Sequence, residues 1–177
     1  MKSVLRVTLA LLLLGLALLL LPKCITSIVF AASQPVISVN TENAGPRQVE
    51  ETTQRAVARD YAAAWKAMAE ALNQNRSDLL ELNFIGTAND KLSSTIAEQR
   101  KSGLHQHIVT KGHNVDAVFY SPEGSAMELH DTAQVQRQLM DGSKVVHTEE
   151  ATVHYVVLLT AAENSWKVRV LEAVPSF

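Results

Sequence analysis

Apolar residues recur every three or four positions in the stretch that begins at Val49, which predicts a long amphipathic helix there. The residues of its apolar face are Val57, Tyr61, Trp65, Met68 and Leu72. This spacing corresponds to one face of a helix of about seven turns. Alanines fill much of the remaining surface, and they favour helix and allow close packing on a neighbouring sheet.

Two shorter helices are predicted to follow. In "NRSDLLELNFIG", Ser77 is the expected N-cap of a short helix that closes near Gly86. In "TANDKLSSTIAEQRKSG", Thr87 or Asn89 is the expected cap of a third helix, and Gly103 follows its basic last turn.

After Gly103 the hydrophobic period falls towards two, which predicts strands. Five strand candidates follow, with the turn sequences "PEG", "DGS" and "AAENS" between the later ones. Asp141-Gly142 is the strongest hairpin signal; with a turn there, Gln136 is expected opposite His147 and Glu149 opposite Gln134. Helices first and a meandering antiparallel sheet afterwards predict an α+β fold.

The first 33 residues have a different character. Lys2 and Arg6 precede a long apolar run, and small residues follow it, which is typical of a secretory signal. The run is also long enough to remain as a membrane anchor, and both alternatives export the remainder. Residues 34–48 are polar, contain prolines and lack a period, so they are interpreted as a linker, and the domain is expected at 49–177.

Charge and cysteine content exclude several functions. The chain has 16 basic and 18 acidic residues; three of the basic ones and no acid lie in the leader, which leaves residues 34–177 with a net charge of −5. No nucleic-acid partner is therefore expected. The single cysteine, Cys24, excludes an internal disulfide, and Pro22 and Lys23 before it disfavour lipidation. No motif implies a cofactor.

The order of elements resembles the nuclear-transport-factor-2-like superfamily. The stretches that carry the resemblance are "RDYAAAWKAM", "DLLELNF" and the closing "SWKVRVLEAV", and it covers roughly residues 50–175. It implies a curved antiparallel sheet around the long first helix, forming a cone, and members include both enzymes and noncatalytic domains. The additional helix at 87–102 and the possible anchor are more similar to the membrane-tethered, noncatalytic branch.

Two groups of polar residues are candidate chemical sites. His105 and His107 share one face of a strand and could hold a metal, but no third ligand is evident, so a solvated strand face is the alternative and no metal is expected. The second group comprises Tyr61, His147 and Glu149. The resemblance to isomerase-like enzymes implies a carboxylate general base in the cone, whereas a solvated strand face is the ordinary explanation for such charges.

Aromatic and apolar positions provide candidate binding surfaces. Tyr61, Trp65 and Trp166 could line a ligand pocket or belong to the core. Apolar residues on both faces of the penultimate strand predict a partner surface on the outside of the last two strands. Its expected residues are Val156, Leu158, Arg169 and Leu171.

These observations together predict an exported, membrane-proximal and noncatalytic binding domain, for a protein partner, a second copy or a small apolar ligand. Membrane contact through the N-terminal segment is expected if the leader is not cleaved, and a secreted or periplasmic location if it is. The alternative is a small enzyme of the polyketide-cyclase or isomerase type.

Overall fold

The computed structural model describes residues 37–177, and its elements follow the predicted order of helices first and sheet afterwards. The helices are α1 (Glu51–Gln74), a short 3-10 helix (Ser77–Leu80) and α2 (Gly86–Ser102). The strands are β1 (Val39–Asn40), β2 (Gly45–Pro46), β3 (Leu104–Tyr120), β4 (Ala126–Asp141), β5 (Lys144–Ala162) and β6 (Ser165–Val174). The predicted leader, residues 1–33, lies outside the described residues.

Helix α1 confirms the prediction from spacing. All five residues of the predicted apolar face are buried, and they pack on the inner face of the sheet. Asn75 ends the helix in the left-handed conformation, and its backbone N–H donates to the carbonyl of Ala71. Within residues 37–177, no helix combines the length and apolarity needed to cross a bilayer.

Ser77 is the first residue of the 3-10 helix, whose N-cap is Arg76. The two predicted caps of the next helix, Thr87 and Asn89, have other roles. Helix α2 begins at Gly86, one residue before Thr87, and no side chain caps it. The Thr87 hydroxyl donates to the carbonyl of Arg169 (3.1 Å), and the Asn89 amide donates to the carbonyl of Phe84 (3.2 Å). The Thr87 side chain therefore attaches α2 to β6, and the Asn89 side chain attaches it to the segment before the helix. Gly103 ends the helix at φ +74°, as predicted.

The sheet is mixed, whereas the sequence predicted a purely antiparallel one. Strands β3 to β6 form an antiparallel meander, and β1 and β2 both pair in parallel with β3. Val39 lies opposite Val115 and is only 2% exposed. Residues 37–46, which the sequence interpretation placed in the linker, therefore contribute to the sheet and the core.

One face of the sheet packs against the helices. On β4 this inner face carries Met127, Leu129, Asp131, Ala133 and Val135, all buried. The predicted α+β fold class, with helices packed on one face of a sheet, is confirmed by this architecture.

The β4–β5 hairpin differs in register from the prediction. Asp141 pairs with Lys144, and a shift between Leu139 and Met140 follows, so Gln136 lies opposite Glu150 instead of His147. Glu149 lies opposite Arg137. The two-residue turn is formed by Gly142 and Ser143, one residue later than expected, and the strand is bulged. Each of these features changes which residues meet across the hairpin.

The buried position of Val39 yields a test of where the domain begins. Val39→Ala is expected to lower the free energy of unfolding by about 2 kcal/mol, because it removes two buried methyl groups. Val145→Ala, the same change at an exposed strand position, is expected to cost less than about 0.5 kcal/mol. Urea unfolding of both variants measures the difference, and equal costs would place Val39 outside the cooperative core.

Candidate functional site

Three polar side chains from three elements meet in the core. Tyr61 on α1 donates its hydroxyl hydrogen to Oδ2 of Asp131 on β4 at 2.7 Å. Nδ1 of His113 on β3 lies 2.8 and 3.0 Å from the two oxygens of the same carboxyl group. An ionised carboxylate only accepts hydrogen bonds, so Nδ1 carries the hydrogen. The side chains of His113 and Asp131 have no exposed surface.

The backbone brings these three residues together for separate reasons. Tyr61 belongs to the buried stripe of α1, and Asp131 occupies an inward position of β4. His113 faces inward because the register between β3 and β4 shifts between Thr110 and Gly112. A bulge of this kind reverses the alternation of side chains beyond it.

Electrostatic interactions in the cluster keep the phenol of Tyr61 protonated. Burial raises the pKa of Tyr61 well above its ordinary value, and the neighbouring charge of Asp131 raises it further. Tyr61 is therefore a neutral hydrogen-bond donor. The other ring nitrogen of His113, Nε2, is buried and has no hydrogen-bond partner within the described residues.

A cavity of about 310 Å³ lies beside this cluster, between the two α-helices and the inner face of the sheet. Its apolar lining residues are Trp65, Met68, Leu72, Leu92, Ile108, Val135, Leu171 and Ala173. Trp65 contacts both the cavity and the polar cluster, because its ring also lies edge-on to His113 with centroids 4.7 Å apart. The volume is at the lower end of the range for small-molecule pockets.

Few charged groups line the cavity. Arg137 on β4 donates from Nη2 to the hydroxyl of Tyr155 on β5 at 3.2 Å, and the Tyr155 ring lies edge-on to Trp65 at 5.6 Å. Lys91 on α2 and Glu172 on β6 form an ion pair that joins the two walls. The lining is thus mainly apolar with a small number of polar groups.

Comparison with known proteins supports the fold. No protein-family model matches the chain, and no curated protein matches it. The intermembrane-space region of the chloroplast protein ARC6 is similar in structure, with a TM-score of 0.62 and 18% identity over 74% of this chain and 100% of that one.

Two further structures have lower scores. A periplasmic fragment of TraM has a TM-score of 0.47 and 14% identity over 65% of this chain and 95% of that one. A protein described as a dehydratase of the NTF2-like family, from Streptomyces avermitilis, has a TM-score of 0.48 and 11% identity over 70% and 99% of the two chains.

The aromatic candidates occupy different places. Tyr61 belongs to the buried cluster, and Trp65 lines the cavity. Trp166 does neither: its ring packs near Tyr120, with centroids 6.3 Å apart, and its backbone N–H donates to Asp60. Trp166 is therefore a core residue that connects β6 to α1.

The acid and imidazole predicted as partners of Tyr61 lie elsewhere. His147 and Glu149 are exposed in the first part of β5, residues 144–150, and neither contacts Tyr61. The acid beside Tyr61 is Asp131 instead, and the imidazole is that of His113. One signal in the sequence marks Asp131, because it interrupts the alternating apolar residues Met127, Leu129, Ala133 and Val135 at an inward position.

The candidate metal ligands do not converge. Residues preceding the bulge have the opposite alternation to His113, so His105 and His107 face away from the core while His113 faces into it. In residues 37–177 no group of three or more histidine, cysteine or acidic side chains is placed to hold a metal.

The four candidate partner residues do not share one surface. Val156 and Leu158 are half-buried on the outer face of β5, opposite in direction to Val157. Leu171 pairs with Val157 and lines the cavity, so it faces inward. Arg169 lies at a bulge of β6 and packs beside Gly86 of α2.

The buried phenol gives a pH-dependent test. Tyr61→Phe is expected to lower the free energy of unfolding by about 1 to 2 kcal/mol at pH 7, because Asp131 loses a donor. Since the folded-state pKa of Tyr61 is raised, wild-type stability from this group is complete below pH 10 and falls as the unfolded phenol ionises. The deficit of the variant should therefore shrink above pH 10, by roughly 1.4 kcal/mol per pH unit.

Urea unfolding of the wild type and Tyr61→Phe at pH 7, 9 and 10.5 measures this deficit. Tyr155→Phe, which removes the hydroxyl bonded to Arg137, is the matched control for loss of one phenol. A Tyr61→Phe deficit that stays constant through pH 10.5 would contradict the assignment of a raised pKa to Tyr61.

Proposed function

We propose that this chain is an exported domain that binds a small, largely apolar ligand in the cavity between α1, α2 and the sheet. The observation that carries the proposal is the cavity itself. Its volume of about 310 Å³ and its apolar lining with a few polar groups are the usual properties of a ligand pocket. Trp65 and Tyr155 provide flat aromatic surfaces for an apolar molecule.

The buried cluster of Tyr61, His113 and Asp131 is not accessible from the cavity, which supports binding without catalysis. A general base must come within hydrogen-bond reach of the proton that it removes. His113 and Asp131 have no exposed side-chain surface, and neither of them lines the cavity. In this arrangement the cluster stabilises the domain and positions Trp65 at the cavity wall.

Export is proposed from the leader. A positive start, an apolar run and small residues are the features of a signal or anchor segment, and the remainder carries a net charge of −5. If the leader is retained, it attaches the domain to the membrane. The similarly folded region of ARC6 comes from an intermembrane space, which is compatible with such a location.

An enzyme is the second candidate, and a specific observation favours it. His113 is held by Asp131 through Nδ1, which leaves Nε2 buried and without a partner beside Trp65. Such a pair can act as a general base, with the carboxylate orienting the imidazole. Catalysis would require Trp65 to move so that a substrate in the cavity reaches Nε2.

Methyl NMR of the full chain tests the binding proposal. In a screen of small apolar compounds, ligands are expected to shift the methyl signals of Leu92, Ile108 and Leu171, which line the cavity. Leu92→Trp should abolish the shifts of Ile108 and Leu171 because the larger side chain fills the cavity. Glu98→Trp, on the exposed side of α2, should leave them unchanged.

Two outcomes would contradict the proposal. The first is that no compound shifts the cavity methyls. The second is that compounds or partners shift only Val156 and Leu158 on the outer face of β5, which would favour a binding surface on the sheet.

A further inference from the structure

Arg137 is the charged group of the cavity that has no carboxylate partner. Lys91 also lines the cavity, but Glu172 already neutralises it. Among residues 37–177, no carboxylate lies within ion-pair distance of the Arg137 guanidinium, which donates a hydrogen bond to the hydroxyl of Tyr155. Glu149, opposite Arg137 across the strand pair, is exposed and makes no ion pair with it.

We propose that Arg137 is an anion-binding residue of the cavity and that the ligand is a small molecule with a carboxylate and an apolar, preferably aromatic, body. This inference rests on the proposed function and adds the chemical class of the ligand. A guanidinium has five donors in a planar fork, and one bond to Tyr155 leaves others for the two oxygens of a carboxylate.

The remaining lining determines the body of the ligand. The Tyr155 ring adjoins both Arg137 and Trp65. A ligand whose carboxylate binds Arg137 therefore places the next part of its body against these aromatic rings, and the remainder against aliphatic residues such as Met68 and Leu72. The cavity volume of about 310 Å³ corresponds to on the order of ten water molecules in the liquid. It therefore suits a ligand of about the size of phenylbutyrate.

Phenylbutyrate and its neutral analogue phenylbutanol form a matched pair of probes. The full chain in a non-ionic detergent is titrated with each, on a Trp166→Phe background, so that Trp65 of the cavity is the one remaining tryptophan. Saturable change of Trp65 fluorescence is expected, with phenylbutyrate binding at least about tenfold more tightly than phenylbutanol, because only the carboxylate forms charge-assisted hydrogen bonds.

Variants at Arg137 isolate its role. Arg137→Gln should weaken phenylbutyrate binding at least about tenfold and leave phenylbutanol binding within about twofold, which also shows that the cavity is still folded. Arg137→Lys should give an intermediate loss because it keeps the charge but not the fork. Lys111→Gln makes the same change of charge at a residue paired with Glu150 outside the cavity, and it should have no effect beyond about twofold.

The outcomes separate the two proposals. Equal affinity for the acid and the alcohol, or an unchanged affinity in Arg137→Gln, would overturn the role of Arg137 while the ligand cavity stands. Absence of saturable binding by both probes would overturn both proposals and would leave the cavity to a side chain of a protein partner.

Discussion

The interior of this domain depends on the hydrogen bonds that the buried carboxylate of Asp131 accepts. An ionised group without solvent is costly unless donors surround it, and Asp131 has donors from two other elements, Tyr61 of α1 and His113 of β3. These bonds fix the rotation and height of the long helix on the sheet. Trp65 lies one helical turn beyond Tyr61 on the same face, so the same constraint places it between the cluster and the cavity.

The cavity forms where the space between the helix and the sheet is not filled by side chains. The register shift in β3 sends His113 inward and separates an inner, fully packed part of the sheet from the part that carries Ile108 and Arg137. Near the cluster the space between helix and sheet is filled, and farther along it stays open. A packed polar cluster and an open apolar cavity therefore lie next to each other, separated by an aromatic ring.

Much of the fold could be predicted from the sequence, because spacing alone reports which helix face and which strand face are buried. All the predicted apolar residues of α1 are core residues, and Tyr61 and Trp65 are among them. The partners of Tyr61 could not be predicted in the same way. Asp131 lies in the regular alternation of β4, but the inward direction of His113 depends on a register shift in β3, and a single-residue shift moves a side chain to the opposite face. The shift between β4 and β5 changes which residues lie opposite His147 and Glu149.

Similar reasons explain the other differences. Residues 37–46 lack a period because each of their strands is two residues long, so their pairing with β3 leaves no pattern in the sequence. Leu171 was expected on the outer surface but lines the cavity, since a bulge between Val168 and Val170 changes the direction of the following side chains. Arg137 could not be recognised as a cavity residue without this geometry.

A crystal structure of the protein with a bound cavity ligand tests most directly whether the polar cluster stays closed while the cavity binds a ligand. The expected result is ligand density against Trp65 and Tyr155, with Trp65 in its present position and Nε2 of His113 still covered. Density for a ligand polar atom within about 3.2 Å of that nitrogen, with Trp65 displaced, would contradict it and would make the buried pair a catalytic site.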